Sequence, residues 1–216
     1  MKKIITTILL SISILSVDAQ VDKLAGPRVG MTMVSAGSLA SILRKDVSLF
    51  SGDIRKEWTG STGKYGAVMS QYGWQWESRF LDGGDVVGLV EWIALVGGME
   101  KGLFLPSVSS MVGLRTASGF EFAAGPNLSL GGIAMVIGIG KTLKFGKLNV
   151  PVNIAYVPSM NKTYNHSGAY YEDFVDPDGI ENSGDEYWDI GEDEGYSVTH
   201  PTGARISVMV GFNLGE

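Results

Sequence analysis

Cysteine is absent from all 216 residues, which removes disulfide scaffolds, thiolate chemistry and cysteine-ligated zinc in one step. Histidine is almost absent, with only His166 and His200. Charge is scarce at 19% of residues, and the formal net charge of −6 leaves no general basic face. Nucleic acid needs such a face, so no nucleic-acid partner is expected. Beyond the first twenty residues no long uninterrupted apolar helix can be drawn, so any crossing of a bilayer must be made with strands. What the chain does hold is 30 glycines and 44% hydrophobic residues. That apolar content excludes a disordered chain and points to a folded, β-rich domain.

The first nineteen residues read MKKIITTILLSISILSVDA. Lys2 and Lys3 form a charged head, an apolar stretch runs from Ile4 to Leu15, and Val17 and Ala19 are small residues at the −3 and −1 positions. This is the pattern of an export signal cleaved before Gln20. The expected organisation is therefore a signal peptide over 1–19 and one β-barrel domain over 20–216.

Period-2 alternation then recurs eight times. In 66–81, Val68, Tyr72, Trp74, Trp76 and Phe80 share one parity, while Met69, Gln71, Gln75, Glu77 and Arg79 share the other. Such a segment is a strand with one aromatic and one polar face. Similar strands are expected over 27–35, 86–96, 107–117, 119–127, 132–143, 148–157 and 203–214. Most are about 9–12 residues long, the length that takes a tilted strand across a bilayer. Pro151, inside the seventh, cannot donate to a ladder and suggests a bulge. The links sort by length. Those at 82–85, 117–119 and 144–147 are short, and of the alternating set (36–65, 97–106, 128–131, 158–202) three are long. In an up-and-down barrel alternate links lie at opposite ends. The expectation is an all-β fold: an eight-stranded antiparallel up-and-down transmembrane β-barrel with short periplasmic turns and long external loops.

With the apolar parity outward, the inward set contains Arg28, Glu77, Arg79, Glu91, Arg115, Glu121 and Arg205. Charges in so narrow a lumen are tolerable only when paired, and these are expected to form one network. A soluble barrel would be turned inside out, with Trp74, Trp76, Phe80, Phe120 and Phe122 inside around an apolar ligand. Signal peptide, eight alternating strands, sorted loops and a last strand reading Val208-x-Val210-x-Phe212-x-Leu214 together resemble the small OmpA/OmpX-like outer-membrane barrels of Gram-negative bacteria. The resemblance is one of pattern. It implies the fold, a cell outer-membrane location and contact with outer-membrane lipid.

Function is expected in the loops. Segment 158–202 carries eleven Asp/Glu against Lys162, a net charge of −10, whereas the rest of the mature chain is +3. Aromatic residues punctuate it, so it is expected to pack on itself or its neighbours rather than to be a disordered tail. Within it Asp176, Asp178 and Glu181 alternate as oxygen ligands for calcium would, without the full spacing of a calcium loop. No other cofactor is expected. Loop 36–65 is mildly basic and could pair with the acidic loop, and Leu39, Ile42, Leu43 and Val47 are spaced for a short surface helix. Gly138-Ile-Gly140-Lys141-Thr142 imitates the end of a phosphate-binding loop, but the earlier glycine such a loop needs is Met135. The leading expectation is a non-conducting barrel, not an enzyme, whose loops 36–65 and 158–202 bind an envelope protein, a surface polymer or a cation. The alternatives are the soluble ligand-binding barrel and a lipid-modifying enzyme using His166 beside Ser167, or His200.

Overall fold

The computed structural model describes residues 24–48, 58–166, 168–175, 187–193 and 195–214. Segment 1–19, expected to be a signal peptide, lies outside them. Seven strands follow one another around a barrel: β1 (Gly26–Val34), β2 (Ala67–Asp82), β3 (Val86–Gly97), β4 (Leu105–Thr116), β5 (Phe120–Ser129), β6 (Gly132–Phe145) and β7 (Leu148–Val157). Four strands of an arm come next: β8 (Asn161–His166), β9 (Ala169–Val175), β10 (Tyr187–Asp193) and β11 (Tyr196–Pro201). The chain then returns to the barrel as β12 (Arg205–Gly211) and β13 (Asn213–Leu214).

Each barrel strand pairs antiparallel with the next, and β12 pairs with both β7 and β1, which closes the sheet and leaves no barrel edge. β12 and β13 are one stave interrupted at Phe212, so the barrel has eight staves. Among the described residues no helix is long and apolar enough to cross a membrane, which says nothing of strands.

The alternation in the sequence becomes two surfaces. Val68, Tyr72, Trp74, Trp76 and Phe80 are exposed on the outside, whereas Met69, Gln71 and Gln75 are buried inside. The same division holds on the other staves: Val112, Leu114, Phe120, Phe122, Ile137, Ile139, Ile154 and Val208 are exposed. The five aromatic residues that a soluble ligand-binding barrel would need inside therefore stand outside.

Three short links fall at one end, here the turn end, while the two-residue link between Ser129 and Gly132 lies at the opposite end. The turn between Phe145 and Leu148 also has two residues, with Gly146 first at φ 62°, a position where a side chain would strain the left-handed backbone. Pro151 does not create a bulge. Thr142 pairs with Pro151 in unbroken register, and on the other side the ladder merely skips from Val210–Val152 to Asn213–Asn149. The missing N–H costs ladder bonds without inserting a residue. The register shift lies instead in β2, between Arg79 and Leu81.

The loop end differs more from expectation. The helix over loop one is shorter, α1 (Ser38–Leu43), and is a buried lid rather than a surface helix. Ala40 and Leu43 pack with Val34, Met69 and Leu105 across the barrel mouth. Asp46 N–H reaches Ser41 O and Lys45 N–H reaches Ile42 O, with Lys45 at φ 64°. This is a Schellman stop, which ends the helix before the apolar spacing runs out.

Segment 158–202 is a hairpin arm. The register that pairs Val157 with Arg205 carries on unchanged: Asn161 pairs with Pro201, His166 with Tyr196, Ala169 with Asp193 and Val175 with Tyr187. β7 and β12 thus continue past the rim as β8–β9 and β10–β11.

Candidate functional site

Two features carry chemistry: the filled lumen and the arm above it. The lumen charges other than Arg205 come from inward positions toward the turn end. Arg115, second from the end of β4, is 2% exposed and meets three carboxylates. Its Nη1 and Nη2 donate to Glu77 Oε1 and Oε2 at 2.9 and 2.6 Å. Its Nε donates to Glu121 Oε2 at 2.7 Å, and Nη2 lies 3.3 Å from Glu91 Oε1. The planar fork suits this task, because a guanidinium can serve several carboxylates in fixed directions. Asn153 Nδ2 donates to Glu121 Oε1 at 3.0 Å.

Arg28 joins at one remove. Its Nε donates to Gln75 Oε1 at 2.9 Å, and Gln75 Nε2 donates to Glu91 Oε1 at 2.7 Å. The rest of the Arg28 guanidinium is spent on backbone, with Nη2 donating to Leu24 O at 2.6 Å. Leu24 is itself buried, as are Val87 and Leu89, so apolar side chains accompany the network at the turn end. Gly211 makes room for Arg28, since a Cβ there would stand 2.1 Å from Arg28 Nη1.

The expected single network is thus smaller than its seven members. Glu77, Glu91, Arg115 and Glu121 form it directly, and Arg28 through Gln75. Arg79 and Arg205 lie outside it. Arg79 sits beyond Glu77 beside the β2 register shift, paired across to Leu89, and its buried Nε has no hydrogen-bond partner. Arg205 opens β12 at the loop end and donates to Asn127 Oδ1 and Ser129 Oγ, both at 3.1 Å. Gln75, Asn127 and Asn153 are the functional neighbours that charge counting passed over; their inward parity was the signal for them.

Between the network and the mouth lies a chamber of about 80 Å³ with mixed walls: Thr32, Gln71, Ser109, Asn127, Arg205 and Ser207 on one part, the network carboxylates Glu91 and Glu121 on another, and an apolar wall of Met111, Ala123, Val136 and Val157. Thr32 Oγ1 donates to Gln71 Oε1 and lies 2.7 Å from Ser207 Oγ. The bore is thus occupied by apolar side chains at the turn end, ionic groups below the chamber and the apolar lid at the mouth.

Above the mouth, loop one and the arm meet through aromatic rings. Trp58 stacks on His200 of β11 at 3.6 Å with 8° between the planes, and Tyr164 of β8 lies 6.1 Å from the same imidazole. Burial raises the Tyr164 phenol above its ordinary value, against a hydrogen bond with Ser38. This is a ring contact between loop one and the arm and not the charge pairing expected of the basic and acidic loops. Arg44 instead pairs within its own loop, with Asp46 at 3.0 Å. On the 3-10 turn Met99–Lys101, Glu100 accepts from the Ser70 hydroxyl and N–H, which holds its carboxyl below the usual range. The calcium candidates Asp176, Asp178 and Glu181, and Ser167, lie outside the described residues. His200, the other histidine considered for catalysis, is held in the aromatic stack. No protein-family model, no curated protein and no solved structure matches this chain.

Proposed function

We propose that the chain is a small, non-conducting outer-membrane barrel, OmpA/OmpX-like in kind, whose acidic external arm binds a positively charged partner at the cell surface. The observation that carries this reading is the outer face of the barrel. Large apolar side chains such as Val112, Phe122, Ile139 and Val208 stand exposed around the staves. In water, a belt of that extent would be an aggregation surface; in a bilayer it is the normal exterior of a barrel.

The partner role rests on the arm. Segment 158–202 carries a net charge of −10, and its described strands form two-stranded ladders, β8 with β11 and β9 with β10. Strand edges offer backbone pairing to a partner while the surrounding carboxylates select a basic one. An envelope protein or a cationic surface polymer has that chemistry. The filled lumen supports the non-conducting part.

Cell fractionation with a heat-modifiability gel tests the location. The expected result is a detergent-extracted outer-membrane band whose folded and boiled forms migrate differently. A protein found wholly in the soluble periplasm would overturn the reading. For the bore, planar-bilayer recordings should show no large steady conductance, and a steady open pore would defeat the non-conducting assignment.

A further inference from the structure

On the bilayer reading of the outer face, on which this rests, we infer that the turn-end rim of β5, β6 and β7 is a docking surface for an anionic phospholipid whose phosphate meets Lys141. Charge is unevenly placed around the turn end. The link from β2 to β3 carries Asp82 and Asp85, the link from β4 to β5 carries no charge, and the tip of the β6–β7 hairpin carries Lys144 and Lys147. In the closed order of eight staves the first and the last of these links lie diametrically opposite. The turn end is thus acidic on one flank and basic on the other.

Lys141 joins the basic flank from the outer face. It has the outward parity of β6 and stands between Ile139 and Leu143, which are both exposed. A lysine on a lipid-facing surface is costly at mid-depth and cheap only where its ammonium reaches the interface. Here the side chain does reach. Lys141 pairs across to Phe120, and its Nζ leans over that ring, 3.8 Å from the centroid, to donate to Ser118 O at 2.6 Å in the turn beyond. Ring and carbonyl hold the ammonium at the turn-end margin of the apolar face. One of its protons is spent on Ser118, and two remain to donate. Among the described residues no carboxylate pairs with Lys141 or Lys147.

The surroundings select a phospholipid. Phe120, Ile139, Leu143 and Phe145, around Lys141 on the same two staves, are apolar and exposed, as acyl chains require. A fixed ammonium at the edge of that surface meets a phosphate where the headgroups begin. Lys144 and Lys147, both exposed, add positive potential from the hairpin tip. A zwitterionic headgroup brings a phosphate but also a cation of its own, which the lysines repel. The preference is therefore for a net-negative lipid, phosphatidylglycerol in kind.

The test titrates the full-length folded barrel, in non-ionic detergent, with phosphatidylglycerol or with phosphatidylcholine of the same chains, and counts retained lipid by native mass spectrometry. Phosphatidylglycerol should bind about tenfold more tightly or better. Lys141→Met should weaken its binding about fivefold, the worth of one lysine at an anionic surface, whereas Lys101→Met, at the loop end, should leave it unchanged. If Lys141→Met does not fold, Lys147→Glu in the exposed turn takes its place and should weaken binding at least as much. Inorganic phosphate at the same concentrations should not displace the lipid. Displacement by phosphate would mean a free-anion site, and equal retention of the two lipids, or undiminished retention in the variant, would mean an apolar flank without headgroup recognition. Each of these results overturns the docking surface, yet leaves the bilayer reading standing where the barrel still inserts into phosphatidylcholine vesicles and gives a heat-shifted band. A barrel that inserts into no vesicle fails both.

Discussion

Replacing Arg115 with alanine should lower the unfolding free energy of the barrel by about 3–5 kcal/mol, measured by urea titration in detergent or vesicles. The side chain holds Glu77, Glu91 and Glu121 within 3.3 Å or less, and all of these groups are almost wholly buried. Removing it leaves three carboxylates facing one another in a dry interior, with Arg28 reaching only Glu91 and only through Gln75. Glu121→Ala should cost in the same direction, since it strips Arg115 of its Nε acceptor and Asn153 of its own. The double variant should cost less than the two single changes added together, because each removes part of the same contact. The control is Arg44→Ala. Its pair with Asp46 is also within hydrogen-bond distance, at 3.0 Å, but the side chains are 37% and 19% exposed, and it should cost at most about 1 kcal/mol. Midpoints for Arg115→Ala and Glu121→Ala as mild as that control would mean that the lumen is hydrated and the network is not what holds the staves.

The face of each of these residues was legible from alternation alone, because a strand gives parity directly. Glu77, Glu91, Arg115 and Glu121 all follow from it. Height along the barrel was not legible. Height depends on the stagger of neighbouring strands and on the shift between Arg79 and Leu81, and parity carries no record of either. Hence Arg205 and Arg79 have the expected orientation and the wrong neighbours. The arm was obscured for a different reason. A hairpin in water needs no apolar face, so carboxylates and aromatics intermingle, and the period-2 signal that revealed β7 fades beyond Val157. Only the constancy of the register across Val157–Arg205, Asn161–Pro201 and Val175–Tyr187 reveals one continuous hairpin. The lid was half legible. The apolar spacing of Leu39, Ile42 and Leu43 gave a helix, but what it covers follows from the barrel mouth, which no local pattern describes.

Arginine scanning of the outer face should give costs that depend on depth and not on side. Val112 lies mid-way along β4, paired with Val90 and Ala124, and is 59% exposed. Val208 lies on β12, the stave opposite β4 in the closed order, paired with Met31 and Ile154. For a barrel surrounded by lipid, Val112→Arg and Val208→Arg should each weaken folding into vesicles by about 2–4 kcal/mol, because a charge at the midplane must be dragged into hydrocarbon. Phe145→Arg, at the turn-end limit of β6, should cost only about 0–1 kcal/mol, since there the guanidinium reaches the interface. Two other environments give different profiles. If a protein partner or a second copy covered one flank of an otherwise soluble barrel, only one of Val112→Arg and Val208→Arg would be costly. If water bathed the whole face, all three would fall within about 0.5 kcal/mol of wild type, as exposed substitutions do. The depth profile separates these cases, because only a bilayer imposes the same penalty at one height all the way round.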